Sequence, residues 1–122
     1  LLAIGCDEIS LGDTIGKGTP DTIKALLTAV GTVVPLQKLA IHCHDTYGNA
    51  IDNISMAVEL GIRVIDSAMG GLGGCPYAKD DLVGNMPTEQ VINFMASEKI
   101  DHKLNLLNFE AAWNRAKDIF KF

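Results

Sequence analysis

The sequence predicts an α/β protein that forms part of a (β/α)8 TIM barrel, with about three parallel strands, flanking helices and a C-terminal helix. Short apolar runs alternate with amphipathic helical patterns, which is typical of parallel strands joined by right-handed crossovers. Polar or glycine-rich segments follow each apolar run, where parallel α/β folds place their sites. The chain has 122 residues, whereas a whole barrel needs about 250. We therefore expect one domain and part of a barrel, with an open doubly wound sheet as the alternative.

Composition and charge exclude several classes of protein. The chain is 48% hydrophobic and 20% charged, as in an ordinary globular domain. A net charge of -5 and only two arginines, Arg63 and Arg115, argue against nucleic-acid binding. No run of 18 apolar residues predicts a membrane span, and the segment 1–5 lacks the length and basic flank of a signal peptide. Three cysteines without a C-x-x-C pair indicate free thiols in a reducing compartment.

Local patterns predict the elements in order. Strands are expected over 6–11, 39–44 and 62–68, where short apolar runs end at glycine or polar residues. Thr19 can cap the first helix, and Pro20 suits its first position. Apolar residues then recur at helical spacing: Ile23, Leu26, Leu27 and Val30. Further helices are expected over about 49–60, from Thr88 as a cap, and over about 105–120. The last has an apolar face formed by Phe109, Ala112, Trp113, Ala116 and Ile119.

The segment His42-Cys43-His44-Asp45 ends the second predicted strand. Because alternate strand residues share a face, both imidazoles point one way and Cys43 points the other. Two histidines with oxygen donors suit a divalent ion such as Mg²⁺, Mn²⁺ or Zn²⁺, although strand-end histidines can also be hydrogen-bonded in a core. Two protein ligands are too few. Asn85 could add an amide oxygen, or it could be a turn or helix-entry residue.

A glycine-rich segment after the third strand leads to Cys75. Four of the five residues from Gly70 to Gly74 are glycine, so this segment is either a flexible lid or a surface that a ligand approaches closely. A cysteine there suits proton transfer or nucleophilic attack near a metal. Asp13 and Thr14 follow the first strand, so all three strand ends carry candidate residues. Three other residues are interpreted as packing or solvated: Cys6, Cys43 and His102.

Three motifs resemble those of the 3-hydroxy-3-methylglutaryl-CoA (HMG-CoA) lyase family, in order and at matching separations. They are Glu8-Ile9-Ser10-Leu11-Gly12-Asp13-Thr14-Ile15-Gly16, His42-Cys43-His44-Asp45-Thr46-Tyr47-Gly48 and Gly71-Leu72-Gly73-Gly74-Cys75-Pro76-Tyr77-Ala78. The third is the most specific, and the match covers residues 5 to about 95. The wider superfamily of metal-dependent aldolases, synthases and carboxyltransferases shares only the H-x-H and Asp-Thr-Gly-like parts.

The resemblance implies an enzyme that cleaves HMG-CoA into acetyl-CoA and acetoacetate with Mg²⁺ or Mn²⁺. Carried over by motif, His42, His44 and Asn85 would bind the metal. Cys75 would be catalytic, and Asp13 would lie in the active site near the substrate. Residues expected to bind substrate or support the loop are Thr14, Gly73, Gly74 and Glu89.

The resemblance also implies binding partners, a cellular compartment and an active site that this chain supplies only in part. The expected partner is an acyl-CoA, with no nucleic acid or membrane, in a homo-oligomer such as a dimer. The expected compartment is the bacterial cytoplasm, or the mitochondrial matrix in a eukaryote. Residues 1–122 would be the C-terminal portion of the barrel domain, without the strands that supply a further metal-binding Asp and a substrate-handling Arg. We therefore expect this chain alone to be inactive and to bind metal weakly.

Two alternative functions stay open, and the sequence departs from the family form at one place. Between Cys75 and Asn85 the chain is about one residue longer than the family form and poorer in Gly, Ala and Ser, so an allied acyl-CoA substrate is an option. A Claisen-type isopropylmalate or homocitrate synthase shares H-x-H but resembles Gly-x-Gly-Glu-Arg at the loop. A non-catalytic half-barrel would expose strand edges and an inner face and fold only by association. A Rossmann domain is disfavoured because no G-x-G-x-x-G joins a strand to a helix.

Overall fold

The structure, a computed structural model, describes residues 1–75 and 84–121 and contains three parallel strands and four α-helices in that part of the chain. The strands are β1 (Ile9–Asp13), β2 (Leu39–Cys43) and β3 (Val64–Asp66), and the helices are α1 (Pro20–Val30), α2 (Ala50–Glu59), α3 (Thr88–Ser97) and α4 (Leu106–Phe120). None of these helices is long and apolar enough to cross a lipid bilayer. The predicted parallel strands with flanking helices are confirmed.

The strands lie side by side in chain order, β1-β2-β3. Gly12 is paired with His42, and His42 with Asp66. Each helical crossover therefore returns the chain to the adjacent strand, as in a (β/α)8 barrel. The C-terminal ends of all three strands consequently meet at one edge of the sheet.

The two faces of the sheet have different surroundings. On one face, Leu39, Ile41 and Cys43 are buried in the apolar core. The helical residues of this core are Ile23, Leu27, Ala50, Ile54 and Ala57. On the opposite face, here called the inner face, Ser10 and Gly12 are exposed and His42 is half-buried. The alternation of β2 thus directs Leu39, Ile41 and Cys43 toward the helices and directs Ala40 and His42 toward the opposite face.

The observed ends of the helices and strands agree with the predicted ends in some places and differ in others. Thr19 caps α1 as predicted, in a reciprocal capping box with Thr22. The start of the first strand at Cys6 was wrong, because pairing with β2 begins only at Ile9. Thr88 is the first helical residue of α3 rather than its cap, since Pro87 occupies the capping position.

Two helical faces are less buried than their spacing predicted. Leu26, which lies between the buried Ile23 and Leu27, is 41% exposed. In α4, only Ala116 of the predicted apolar face is buried, and Ile119 is 63% exposed. Spacing predicts which side chains share a face, but burial needs an element packed against that face.

Candidate metal and active site at the strand ends

The segment after the glycine loop lies against the C-terminal end of β2. His44 and Asn85 form an isolated antiparallel bridge. The Asp45 N–H donates to the Gly84 carbonyl at 2.9 Å, and the Met86 N–H donates to the Cys43 carbonyl at 3.1 Å. In a pair with this hydrogen-bond pattern the Cα atoms lie about 4.5 Å apart and the side chains share a face. Asn85 is therefore placed beside His44.

His42 and His44 form a close pair of imidazoles. Their ring centroids are 5.3 Å apart, with 65° between the ring planes. His44 is buried, and neither ring is hydrogen-bonded within the described residues. Burial, reinforced by the neighbouring His42, lowers the pKa of His44, and the Asp13 carboxylate acts in the opposite direction. His44 is therefore neutral at physiological pH, which is the form that binds a metal.

Asn85 can supply the third donor of the set. Its Nδ2 donates to the Leu72 carbonyl at 2.6 Å, and its main-chain N–H donates to the Gly73 carbonyl at 3.2 Å. Its Oδ1 accepts no hydrogen bond from the described residues. Across residues 1–75 and 84–121, no group of three or more His, Cys, Asp or Glu is placed to hold a metal ion. A site here therefore depends on the Asn85 amide oxygen beside the two histidines.

Asp13 lies at the end of β1 and is bound by the loop that follows. Oδ1 accepts the Lys17 N–H at 3.2 Å, and Oδ2 accepts the Gly18 N–H at 2.9 Å. The Asp13 carbonyl accepts the His44 N–H at 3.2 Å. Asp13 is paired with Cys43 rather than with His42, so its carboxylate leaves the sheet on the helix-covered side. The structure thus joins Asp13 to His44 through the main chain.

Thr14 belongs to the opposite side from Asp13. A Cβ built on Gly12 would lie 3.6 Å from the Thr14 hydroxyl, and Gly12 is paired with His42 across the sheet. Thr14 is exposed. Its hydroxyl is therefore on the same face as the two histidines, where a substrate group could reach it.

Two anchors hold the glycine segment that leads to Cys75. The Gly70 N–H donates to the Glu89 carboxylate at 3.1 Å, so Glu89 contacts the start of the glycine segment. At the other end, the Gly73 carbonyl accepts the Asn85 N–H at 3.2 Å. Cys75 is half-buried and follows directly. The rest of the third motif and the longer spacing before Asn85 fall on residues 76–83, which lie outside the described residues.

Sequence reasoning missed two polar contacts of α2. Asp45 Oδ1 accepts the Ala50 N–H at 3.1 Å, so the acid that follows the histidines anchors the start of the helix. Asn53 is fully buried, and its Nδ2 donates to the Gly18 carbonyl at 3.0 Å. The signal that could have found Asn53 is a polar residue directly beside Ile54 on the apolar side of the helix.

Comparisons with known proteins agree with this arrangement. The family model described as HMGL-like matches residues 1–115. The mitochondrial hydroxymethylglutaryl-CoA lyase of Pongo abelii is 49% identical over 114 residues, covering 93% of this chain and 35% of that protein. The chain spans about a third of the length of the curated relatives it matches.

Solved structures support the fold. The HMG-CoA lyase of Brucella melitensis superposes with a TM-score of 0.88 at 42% identity, covering 99% of this chain and 42% of that chain. An HMG-CoA lyase of Acinetobacter baumannii, in complex with coenzyme A and 3-methylmalate, superposes with a TM-score of 0.78 at 35% identity, covering 86% and 34%. These neighbours are TIM barrels, so the predicted partial barrel is confirmed.

We expect Cys43 to stay unmodified in the folded chain while Cys6 and Cys75 react. Cys43 is fully buried. Its burial, aided by the Asp13 and Asp45 carboxylates, raises the pKa of the Cys43 thiol to about 12 from 9.0. Iodoacetamide at about pH 8 followed by peptide mass spectrometry measures this.

The same shift predicts how stability depends on pH. The contribution of the protonated Cys43 thiol to the free energy of unfolding is intact below pH 9.0. It is lost as the pH rises toward about 12, because the unfolded chain releases the Cys43 proton first. Alkylation of Cys43 at the rate of Cys6, in a chain shown to be folded, would contradict the burial.

We expect Gly73→Ala to destabilise the chain by about 1–2 kcal/mol, because Gly73 has a φ of +95° that disfavours other residues. The added Cβ would also lie 2.8 Å from Asn85 Nδ2, so it would displace the Asn85 side chain. Urea unfolding measures the effect. Gly74→Ala is the matched control, since its Cβ would meet nothing closer than 3.9 Å. Equal stability of the two variants would show that Gly73 does not constrain Asn85.

Proposed function

This chain belongs to the HMGL-like family, and we propose that it supplies the metal-binding and cysteine-loop portion of a lyase that cleaves HMG-CoA into acetyl-CoA and acetoacetate. The observation that carries the proposal is the position of Asn85 beside His44, on the face that His44 shares with His42. The specific Gly-Leu-Gly-Gly-Cys-Pro loop begins at the residues that contact Asn85. The curated relatives carry the lyase name.

The donor set fits a divalent ion of the Mg²⁺ or Mn²⁺ kind. His42 and His44 would hold it with the Asn85 amide oxygen, which has no competing hydrogen bond among the described residues. Such an ion supplies Lewis acidity that lowers the pKa of a bound hydroxyl. Three protein donors are a partial set, since hard divalent ions take six or more ligands. The chain's own part is to keep His44 buried and neutral and to orient Asn85 through the Leu72 carbonyl.

The cleavage makes two demands on the residues of the chain. The tertiary hydroxyl of the substrate must lose its proton, and the acetyl-CoA enolate that departs must gain one. We assign the second transfer to the Cys75 thiol, which directly follows the glycine segment that binds Asn85 through the Leu72 and Gly73 carbonyls. Closure of that segment over the substrate would exclude water from the enolate. Asp13 would support the active site from the helix-covered side, where the 17–18 loop binds its carboxylate and its carbonyl accepts the His44 N–H.

The substrate class and the setting follow from the same proposal. An acyl-CoA substrate is supported by the coenzyme A complex of the Acinetobacter baumannii relative. The complete enzyme would be a homo-oligomer such as a dimer. It would work in the bacterial cytoplasm, or in the mitochondrial matrix as the name of the Pongo abelii relative says for that protein. The synthase alternative is disfavoured because the loop carries Cys75 and Pro76 where those enzymes resemble Gly-Glu-Arg.

We expect the chain to bind Mn²⁺ weakly and to lose about tenfold or more of that affinity in His42→Ala, His44→Ala and Asn85→Ala, because each removes a donor. Titration of the electron paramagnetic resonance signal of free Mn²⁺ measures the affinity. His102→Ala is the matched control, since His102 Nδ1 accepts the Leu104 N–H within a loop distant in sequence from the site. Unchanged Mn²⁺ affinity in all three site variants would refute the metal site.

We expect the isolated chain to show no HMG-CoA cleavage, and a chimaera to show it. In the chimaera, this chain replaces the matching 42% of the Brucella melitensis enzyme, which supplies the rest of the barrel. Coupled detection of acetoacetate measures cleavage. Cys75→Ser in the chimaera should lower kcat by about a hundredfold or more, as removal of a general acid does.

Cys6→Ser is the matched control for that chimaera, because Cys6 lies outside the strand-end cluster. Normal turnover by the isolated chain would refute the incomplete-site prediction. A folded chimaera that condenses acetyl-CoA with a 2-oxo acid, without cleaving HMG-CoA, would favour the synthase.

A further inference from the structure

We propose that Asn53 is a positioning residue that holds the Asp13 carboxylate, and through it the His44 end of β2, in the geometry of the site. Asn53 lies on α2, whose first turn faces both strand ends. Its consequence for metal binding rests on the proposed function. Its contacts are independent of that function and can be tested separately.

Asn53 is buried in a way that stability alone does not favour. The side chain is 0% exposed, among the apolar residues of the core. Its Nδ2 has one partner, the Gly18 carbonyl at 3.0 Å, and its Oδ1 has none among the described residues. An unpaired buried carbonyl oxygen lowers stability, and a leucine of similar volume would not carry it. The benefit of an asparagine here is therefore the bond to Gly18.

Gly18 connects Asn53 to Asp13 by hydrogen bonds to both. Its carbonyl accepts from Asn53, and its N–H donates to Asp13 Oδ2 at 2.9 Å. A Cβ built on Gly18 would lie 2.8 Å from Asp13 Oδ2 and 3.3 Å from Asn53 Nδ2. The glycine peptide is thus held between the two side chains with no room for a methyl group. A shift of Asn53 would move the peptide and release Asp13 Oδ2.

Asp13 in turn is joined to the candidate metal ligands. Its carbonyl accepts the His44 N–H at 3.2 Å, across the end of the β1–β2 pair. The same helix also anchors the next residue, because Asp45 Oδ1 accepts the Ala50 N–H. Two contacts from the first turn of α2 therefore hold β2 and the loop after β1 at a set distance. The bond from Asn53 to Gly18 is the one that joins α2 to the loop after β1.

The test uses amide hydrogen exchange of the full 122-residue chain, followed by NMR. In Asn53→Leu, which removes the donor and the unpaired oxygen together, we expect the Gly18 and His44 amides to exchange about tenfold faster. Amides in the middle of α1 and at the centre of β2 should keep their rates. Ile54→Val is the matched control, since Ile54 is equally buried on the same helix and has no bond to the loop.

A second variant perturbs the same hydrogen bonds by a change in the 17–18 loop instead of in α2. Gly18→Ala leaves α2 intact and places a methyl group against Asp13 Oδ2, so it should also accelerate exchange at His44. Unchanged Gly18 and His44 rates in both variants would overturn the proposal. A uniform acceleration of all core amides in both variants, matching that of Ile54→Val, would also overturn it by showing a purely structural role.

Mn²⁺ titration separates this proposal from the proposed function. Both variants should bind Mn²⁺ about tenfold more weakly than Ile54→Val does, as loss of an outer contact typically does. If the unmodified chain binds no Mn²⁺ while the exchange results hold, the proposed function fails and Asn53 keeps its positioning role. If the unmodified chain binds Mn²⁺ and both variants bind it equally well, Asn53 does not position the site.

Discussion

The site depends on the main-chain hydrogen bonds made by the last residues of β2. On one side, the His44 N–H donates to the carbonyl of Asp13, which ends β1. On the other side, Asp45 and Met86 donate across the pairing of β2 with the segment after the glycine loop. Residues from three distant parts of the chain are thereby held at one point. Main-chain bonds of this kind are specific in register, because a slip of one residue turns every side chain to the opposite face.

That register places side chains with different roles on the two faces at the end of β2. Cys43 is turned toward the helices, where burial keeps its thiol protonated and inert. His42 lies on the inner face, and His44 is buried but close enough for its imidazole to pair with that of His42. One tripeptide therefore contributes both to the apolar core that stabilises the sheet and to the donors of the candidate site. On the inner face, Ser10 and Gly12 are exposed and His42 is half-buried, so a ligand could reach this part of the face.

The glycine segment has a structural purpose that is separate from mobility. Sequence reasoning left open whether it is a flexible lid or a surface of close approach. The contacts of its first half add a third role, because the Leu72 and Gly73 carbonyls bind Asn85 and a side chain on Gly73 would collide with the Asn85 amide. A lid function for the part near Cys75 is compatible with this, since the anchor formed by Gly70 and Glu89 lies at the opposite end.

The sequence by itself determined the parallel α/β fold class, the capped start of α1, the shared face of His42 and His44, and the family. These features depend on residue spacing within a few positions or on long motifs, so they can be read locally. Tertiary structure alone decided that Asn85 lies beside His44 and that Asn53 supports the 17–18 loop. It also decided that only Ala116 of the predicted apolar face of α4 is buried. The physical reason is that burial and hydrogen-bond partners across 35 or more residues depend on how whole elements pack, and spacing within one element carries no information about its neighbours.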